Sequence, residues 1–457
     1  MPGTGCADFA IFRSFLVVPQ IIDILCNSTT ALEPNASPKV TSVPTGRNEL
    51  VEFINTVLSV AKPKLTLEAL IGDISLDHIA EYEEGVKTGD QDLNITQLLK
   101  KYGYKSETHY VTTRDGYILK IFRIPSNGTI VYLEHGFLSN SDDWVVTGPD
   151  TGLAYLLADA GYDVWIGNAR GNKHCQQHVR LSPDDEAFWN FSWDEIGRYD
   201  LPAVIDYILE LNEKPNLIYI GHSQGTTAFF VLCSELPEYN KKISFMVALA
   251  PVAWMSHTTS PLFQYLAPFA QDDNSIMRKV LGPSISHNDP LTAVLKAVFC
   301  NGNIIKNILC NNIMFLFMGF DNAQLNYRAL ATINNHSPGG AATKQLEHFA
   351  QSIESGYFRR FDYKLDNVEM YGYREPPRYE VEKITVPMAI FHALADWVAD
   401  RQDLEILMAK LRNHFTFHIV PYENFAHLDF LYARDVAKLV YRDVLQLLKG
   451  FTSFTEK

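Results

Sequence analysis

The sequence predicts an α/β fold in which a mostly parallel central β-sheet is flanked by helices. Short, continuously apolar segments of strand length alternate with longer amphipathic segments along most of the chain. Such strands are typical of a sheet buried on both faces, and their alternation with helices is typical of parallel strands joined by crossovers. A hairpin is predicted around Asp115-Gly116. The predicted strands lie at residues 109–113, 117–124, 130–133, 162–166, 217–220, 245–249, 388–391 and 415–420.

The alternation stops in the second half of the chain, where a long insertion begins. Residues 253–381 have a helical pattern without clear strands and are rich in Phe, Leu, Ile and Met. We expect both a helical subdomain with its own core and a cap or lid over a site in the sheet, since these interpretations are compatible. The predicted parts are an N-terminal leader at 1–91, an α/β core at 92–252 and 382–457, and this cap at 253–381.

The leader has features of a chain that enters the secretory pathway. Residues 9–25 are largely apolar, but Arg13, Pro19 and Asp23 interrupt the run, so the segment makes a poor signal peptide and a worse transmembrane helix. The proline-punctuated stretch that follows is typical of a linker or propeptide. We therefore expect a secreted or lysosomal protein. Candidate N-glycosylation sequons that favour the same interpretation begin at Asn94, Asn127, Asn190 and Asn335.

Composition and charge exclude some classes of partner. The chain has 457 residues and a formal net charge of −14, with no basic run, so nucleic acid is not an expected partner. The charge gives no attraction to an anionic membrane, so any contact with lipid has to be apolar. The chain contains no Cys-x-x-Cys motif, so the sequence does not suggest a zinc site. Cys300 and Cys310 are close enough to close a short loop, but their spacing alone leaves a disulfide and two unrelated thiols equally open.

The sharpest motif is Gly221-His222-Ser223-Gln224-Gly225, which matches G-x-S-x-G. It follows the predicted strand at 217–220 and precedes a predicted helix at 226–236, which is the context that the motif requires. Glycines are needed because the turn from strand to helix is too tight for side chains at their positions. The turn exposes the serine hydroxyl at the top of the sheet, so we interpret Ser223 as a nucleophile.

A nucleophilic serine needs a base and an orienting carboxylate, in the chain order Ser, Asp or Glu, His. Three carboxylates follow the predicted strand at 388–391. Asp396 is nearest to the carboxyl end of that strand, where a site loop is expected. Asp400 and Asp403 lie at the start of the next predicted helix, where acidic side chains favour the helix dipole. Asp396 is therefore the expected acid.

The base is expected in a loop that follows a later strand. Among the histidines after the expected acid, His414 precedes the strand at 415–420 and His418 lies within it. Only His427 follows the carboxyl end of that strand. A lone histidine is more often a surface or core residue, but order and position together favour His427 as the base.

Attack on an ester carbonyl creates an oxyanion that preorganised N–H groups have to bind. The amide of Gln224, the residue after the nucleophile, is one expected donor. The second is expected in the loop after the strand at 130–133, which reads Glu134-His135-Gly136-Phe137. A glycine there lets the backbone approach the reacting carbonyl, so the N–H of Phe137 is the expected second donor.

With these motifs, the chain resembles the acid lipase family, which includes gastric lipases and lysosomal acid lipase. The likeness runs from about Asp92 to Gly450. It implies an α/β-hydrolase fold with a helical cap, no metal or cofactor, and hydrolysis of triacylglycerols or steryl esters. The stretches that carry it are Asp115-Gly116-Tyr117-Ile118-Leu119, Glu134-His135-Gly136-Phe137, Leu157-Ala158-Asp159-Ala160-Gly161-Tyr162-Asp163-Val164-Trp165, Gly167-Asn168-Ala169-Arg170-Gly171-Asn172, Gly221-His222-Ser223-Gln224-Gly225-Thr226-Thr227 and His427-Leu428-Asp429-Phe430.

The resemblance assigns roles to individual residues. It places the nucleophile at Ser223, the acid at Asp396, the base at His427 and the oxyanion-binding amides at Phe137 and Gln224. It also implies a disulfide in the cap.

Three features of the chain depart from the family pattern. The implied disulfide joins Cys300 and Cys310, whose spacing is slightly longer than in the family. The residues before Asp396 are His392-Ala393-Leu394-Ala395, where Gly-Gly is common, so the loop has its own shape. Phe137 replaces a more common Leu and places a bulkier ring beside the site, which bears on acyl-chain preference.

The function expected from the sequence is hydrolysis of lipid esters at a lipid interface, such as a micelle or droplet surface. No obligate protein partner is implied. A non-catalytic lipid carrier on the same fold is an alternative, but it has no need for a complete Ser-Asp-His set. A hydrolase of another acyl bond, such as a peptide or thioester, is compatible with the same three residues.

Overall fold

The computed structural model describes residues 75–271, 276–286, 313–411 and 415–455. The apolar segment at 9–25 and the Cys300–Cys310 pair lie outside these residues. The described strands are β1 (Glu107–Thr112), β2 (Ile118–Ile124), β3 (Ile130–Glu134), β4 (Asp163–Ile166), β5 (Leu217–His222), β6 (Ile243–Leu249), β7 (Ser284–Ile285), β8 (Ala341–Ala342), β9 (Met388–His392) and β10 (Phe415–Ile419).

The order of the strands confirms the predicted, mostly parallel sheet. Eight strands pair in the order β1-β2-β4-β3-β5-β6-β9-β10. Strand β2 is antiparallel to β1 and β4, so the predicted hairpin forms one edge, and all other neighbours are parallel. Every residue of β3, β4, β5 and β9 is buried. A sheet covered on both faces explains why these strands are largely apolar.

Helices connect the strands of the core and are the main secondary structure of the described part of the cap. In that part, β7 and β8 form the only strand pairing outside the central sheet. No helix among the described residues is long and apolar enough to cross a bilayer. The helices are α1 (Leu76–Lys87), α2 (Ile95–Lys101), α3 (Leu153–Asp159), α4 (Trp193–Glu195), α5 (Leu201–Asn212), α6 (Gln224–Glu235), α7 (Pro261–Leu266), α8 (Ile276–Leu281), α9 (Ile313–Met318), α10 (Leu330–His336), α11 (Thr343–Ser355), α12 (Asn367–Tyr371), α13 (Arg401–Lys410), α14 (Asp429–Tyr432) and α15 (Arg442–Thr455).

Helix α11 of the cap is buried against the core although its sequence is largely polar. Its first ten residues are all buried. Burial of polar groups is tolerated when they are hydrogen-bonded, as His348 illustrates. Its Nδ1 lies 3.0 Å from Ser192 Oγ, its Nε2 lies 3.0 Å from the carbonyl oxygen of Arg359, and its ring stacks on Trp193 with centroids 3.6 Å apart. Helix α11 therefore brings cap side chains to the core.

Helix α1 packs on the cap although it belongs to the predicted leader. A Cβ atom at Gly85 would lie 1.9 Å from the carbonyl oxygen of Arg328, so glycine permits this close approach. The ring of His78 stacks on Tyr327 with centroids 4.2 Å apart. The boundary at residue 92 stays a prediction, and residues just before it contact the folded part of the chain.

Candidate active site

Ser223 lies at the turn between β5 and α6, as G-x-S-x-G predicts. Its φ is 51° and its ψ is −119°, a conformation that costs a non-glycine residue about 1–3 kcal/mol. A Cβ atom at Gly225 would lie 2.5 Å from the carbonyl oxygen of Glu134, so glycine is needed there. The side chain is nearly enclosed, since Ser223 is only 3% exposed. The turn thus places a strained, buried serine at the carboxyl edge of the sheet.

His427 and Asp396 form a fully buried pair. His427 Nδ1 lies 2.9 and 2.8 Å from the two carboxylate oxygens of Asp396, and both side chains are 0% exposed. The N–H groups of Val398 and Ala399 each donate to Asp396 Oδ1 at 2.8 Å. Burial disfavours the charged carboxylate, but the charge and hydrogen bond of His427, with these two N–H groups, hold the pKa of Asp396 below its ordinary value.

The loop that carries His427 is attached directly to the serine turn. His222 Nε2 lies 3.0 Å from the carbonyl oxygen of His427, and the two rings are 4.9 Å apart between centroids. His427 Nε2 is buried and has no hydrogen-bond partner among the described residues. With Nδ1 bound to the carboxylate, this second ring nitrogen is available to exchange a proton with a neighbouring hydroxyl.

The loop after β3, residues 135–144 and hereafter the β3 loop, runs beside the serine turn. A Cβ atom at Gly136 would lie 3.1 Å from Ser223 Cβ, so the backbone approaches the serine as closely as glycine allows. The backbone N–H groups of Phe137 and Gln224 have no hydrogen-bond acceptor among the described residues. Two unpaired donors that flank a serine are what an oxyanion-binding site needs.

The other carboxylates considered from the sequence have different contacts. Asp400 is the N-cap of α13, and its Oδ1 accepts the N–H of Gln402 at 2.7 Å. Asp403 Oδ1 lies 2.8 Å from Nδ1 of His257. Of these three carboxylates, only Asp396 hydrogen-bonds His427, and its role as the acid stays a prediction.

The remaining histidine candidates do not reach the pair either. The ring of His418 stacks on Phe391, with centroids 4.7 Å apart. His414 lies outside the described residues. The role of His427 as the base stays a prediction.

Sequence reasoning missed the cap residues that border the site. Gln345 of α11 accepts a hydrogen bond from the side chain of Gln224 at 2.7 Å, although 121 residues separate them. The ring of Phe137 contacts Phe349 and Phe263, with centroids 5.8 and 6.4 Å apart. No local motif signals these contacts, because each depends on how the cap folds over the sheet.

The predicted modification sites are partly described. Cys175 and Cys233 are free and buried, while the implied Cys300–Cys310 bridge stays a prediction. Among the described residues, no cluster of His, Cys, Asp and Glu could hold a metal ion. The four sequon asparagines are exposed residues: Asn94, Asn127, Asn190 and Asn335. Glycosylation at these positions stays a prediction.

Comparison with known proteins gives consistent matches. A family model described as the alpha/beta hydrolase fold matches residues 129–431, and one described as a partial alpha/beta-hydrolase lipase region matches residues 95–148. Lipase 1 of Drosophila melanogaster is 40% identical over 79% of this chain and 80% of its own length. Lipase 3 of the same organism is 41% identical over 76% and 91%. Human gastric triacylglycerol lipase is 36% identical over 84% and 98%.

The fold and these matches define the chain as a member of the α/β-hydrolase fold family. Within it, the chain belongs to the acid lipase family that its sequence resembles, because it spans most of the length of relatives named as lipases. It is therefore a carboxylic ester hydrolase of the serine type.

Proposed function

We propose that this hydrolase cleaves the ester bonds of triacylglycerols or steryl esters, with Ser223 as nucleophile, His427 as base and Asp396 as orienting acid. The observation that carries the proposal is the buried contact between His427 and Asp396, on a loop joined by a hydrogen bond to the strained serine turn. The hydrogen bond from Nδ1 to the buried carboxylate holds His427 in the tautomer that leaves Nε2 free to act as a base.

Acylation begins when Ser223 Oγ attacks the ester carbonyl carbon and its proton passes to Nε2 of His427. The carbonyl oxygen becomes an oxyanion that accepts hydrogen bonds from the N–H groups of Phe137 and Gln224. The bond from carbon to the alcohol oxygen then breaks, and His427 gives its proton to that oxygen. Asp396 remains ionised and stabilises the imidazolium, in agreement with its lowered pKa.

Deacylation repeats these proton transfers with water. A water molecule loses a proton to His427 while its oxygen attacks the acyl carbon. The bond from that carbon to Ser223 Oγ breaks, and the proton on His427 passes to Ser223 Oγ. The fatty acid leaves, and the serine hydroxyl is restored.

Apolar side chains beside the β3 loop support a lipid substrate. The ring of Phe137 packs against Phe263, Phe317 and Phe349 of the cap. An acyl chain gains free energy from such surroundings, at roughly 0.8 kcal/mol for each buried CH₂ group. The relative named gastric triacylglycerol lipase supports the same substrate class.

A secretory location and action at a lipid interface are further parts of the proposal. Exposed asparagines in the sequons support secretion or delivery to the lysosome. Contact with a lipid surface is supported by four large apolar side chains that are exposed within a short stretch around α12. These exposed side chains are Leu365, Val368, Met370 and Tyr373.

The test is release of fatty acid from emulsions of trioleoylglycerol and cholesteryl oleate at pH 5 and pH 8. We expect release by the wild-type chain and a loss of at least about 10⁴-fold in Ser223→Ala, because the acyl-enzyme cannot form. Ser234→Ala is a matched control, since Ser234 is a buried hydroxyl of α6 that donates to the carbonyl oxygen of Val231 in the same helix. It should keep the activity, and thermal unfolding should establish that all three proteins are folded.

Two results would contradict the proposal. A folded wild-type chain that binds oleate but releases none from either ester would indicate a lipid carrier. Cleavage of thioesters or peptides without cleavage of lipid esters would indicate a hydrolase of another acyl bond. The preferred pH and ester would distinguish a lysosomal from an extracellular enzyme.

A further inference from the structure

The β3 loop holds the N–H of Phe137 in a strained turn. Leu138 has a φ of 61°, a left-handed conformation that costs a non-glycine residue about 1–2 kcal/mol. Its carbonyl oxygen accepts the N–H of Gly339, a cap residue, at 2.6 Å. A strained turn persists only where its surroundings hold it, so contacts outside the turn decide where the Phe137 N–H lies.

Asp143, at the end of the β3 loop, is one such contact and accepts four hydrogen bonds. Two donors belong to the same loop: the hydroxyl of Ser139 and the N–H of Asn140, the latter at 3.2 Å. The other two are the hydroxyls of Ser337 and Tyr432, the latter at 2.8 Å. The Asp143 side chain is buried, so these donors replace water around its carboxylate.

The four donors come from three parts of the chain. Ser139 and Asn140 follow the residues that border the nucleophile, Ser337 follows α10 in the cap, and Tyr432 ends α14, just after His427. A single carboxylate thereby joins the β3 loop, the cap and the segment that carries the base. Few other groups could do so, because four N–H or O–H donors require an acceptor with two oxygens.

The neighbouring residue Asp142 has a different set of partners. Its carboxylate pairs with the cationic or ring nitrogens of Lys173, His174 and His336, at 2.6, 2.8 and 2.8 Å. The donors to Asp143 are all uncharged. Burial therefore raises the pKa of Asp143, although the hydroxyl donors oppose this shift. The two adjacent carboxylates therefore hold different partners, since Asp142 binds nitrogens of basic side chains and Asp143 binds uncharged donors from three chain segments.

We propose that Asp143 is a positioning residue that fixes the Phe137 N–H at the oxyanion and makes its position depend on the cap. The inference rests on the proposed function, since it needs an oxyanion at Ser223. An oxyanion donor works only within about 2.7–3.1 Å of the oxygen, so a shift of about 1 Å removes much of its effect. Binding of the uncharged ester depends far less on this donor.

The test uses a graded set of variants. Asp143→Asn keeps the shape of the side chain but turns an NH₂ group toward two of the donors. Ser337→Ala and Tyr432→Phe each remove one donor and leave the carboxylate in place. The control is Asp194→Asn, because Asp194 is also buried and bonds Tyr379 at 2.6 Å, outside the β3 loop. It reports the effect of losing a buried carboxylate elsewhere.

Each variant is assayed with p-nitrophenyl butyrate and with two inhibitors. A long-chain trifluoromethyl ketone forms a hemiketal with the serine and places an oxyanion in the site, whereas dodecanol binds without one. For Asp143→Asn we expect kcat to fall about 10–100-fold with KM within about twofold. The inhibition constant of the ketone should rise by a similar factor, and that of dodecanol should not change.

The single-donor variants keep the inference testable if Asp143→Asn fails to fold. We expect them to lose about 3–10-fold in kcat, again in parallel with ketone binding. The inference is overturned if the Asp143 or donor variants behave as Asp194→Asn does, with lower thermal stability and unchanged kcat. Equal weakening of ketone and dodecanol binding would also overturn it. An inactive wild-type chain would instead contradict the proposed function.

Discussion

Replacing Asp396 by Asn tests how the base is held in one tautomer. Both oxygens of Asp396 lie within 2.9 Å of His427 Nδ1, and Oδ1 also accepts the N–H groups of Val398 and Ala399. In Asp396→Asn, these two N–H groups keep the amide oxygen on their side, so the NH₂ group faces His427. Nδ1 then has to accept, and the proton moves to Nε2, which can no longer take a proton from Ser223.

The expected loss follows from this wrong tautomer. We predict a fall in kcat of about 10³–10⁴-fold, equivalent to about 4–5.5 kcal/mol, with little change in KM. The assay is hydrolysis of p-nitrophenyl butyrate, with thermal unfolding measured on the same samples. Asp400→Asn is the matched control, because it alters only a helix cap, is expected to change stability by no more than about 1 kcal/mol, and should keep kcat. Equal losses in the two variants would refute the assignment of Asp396.

Two further predictions concern the close approach at the serine and a buried ion pair. In Gly136→Ala, the added methyl group would lie 3.1 Å from Ser223 Cβ. We therefore expect kcat for p-nitrophenyl butyrate to fall at least about tenfold. An unchanged kcat would contradict the close approach of residue 136 to the serine. Arg170 is buried and bonds Asp115 and Asp200 at 2.6–2.9 Å. Arg170→Met should therefore lower the free energy of unfolding in urea by about 3–5 kcal/mol, against less than about 1 kcal/mol for Arg401→Met, whose side chain is only partly buried.

Most of the core could be predicted from the sequence because its signals are local. The central strands are buried on both faces, so each appears as a short apolar run, and their observed limits differ little from the predicted ones. The turn at Ser223 could be predicted because close packing at Gly225 leaves no room for a side chain. Asp396 could be selected because a loop at the carboxyl end of β9 has to face the serine turn.

The contacts of the cap could not be predicted because they join distant residues through tertiary packing. Helix α11 has a polar sequence that resembles a surface helix, yet partners from elsewhere allow its burial, as for His348. No sequence motif indicated Asp143, because its donors Ser139, Ser337 and Tyr432 come together only in the folded chain. A sequence reports a side chain's chemistry, but not which distant group satisfies it.

The contact between Gln224 and Gln345 limits how independently the cap and the core can vary. The backbone of Gln224 belongs to the serine turn, while its side-chain NH₂ group donates a hydrogen bond to a helix of the cap. A cap taken from another lipase and joined to this core would need a polar side chain at the position of Gln345. An apolar side chain there would leave the amide of Gln224 buried without this partner, directly beside the nucleophile. Exchange of caps among relatives therefore has to conserve this amide pair or replace both of its members together.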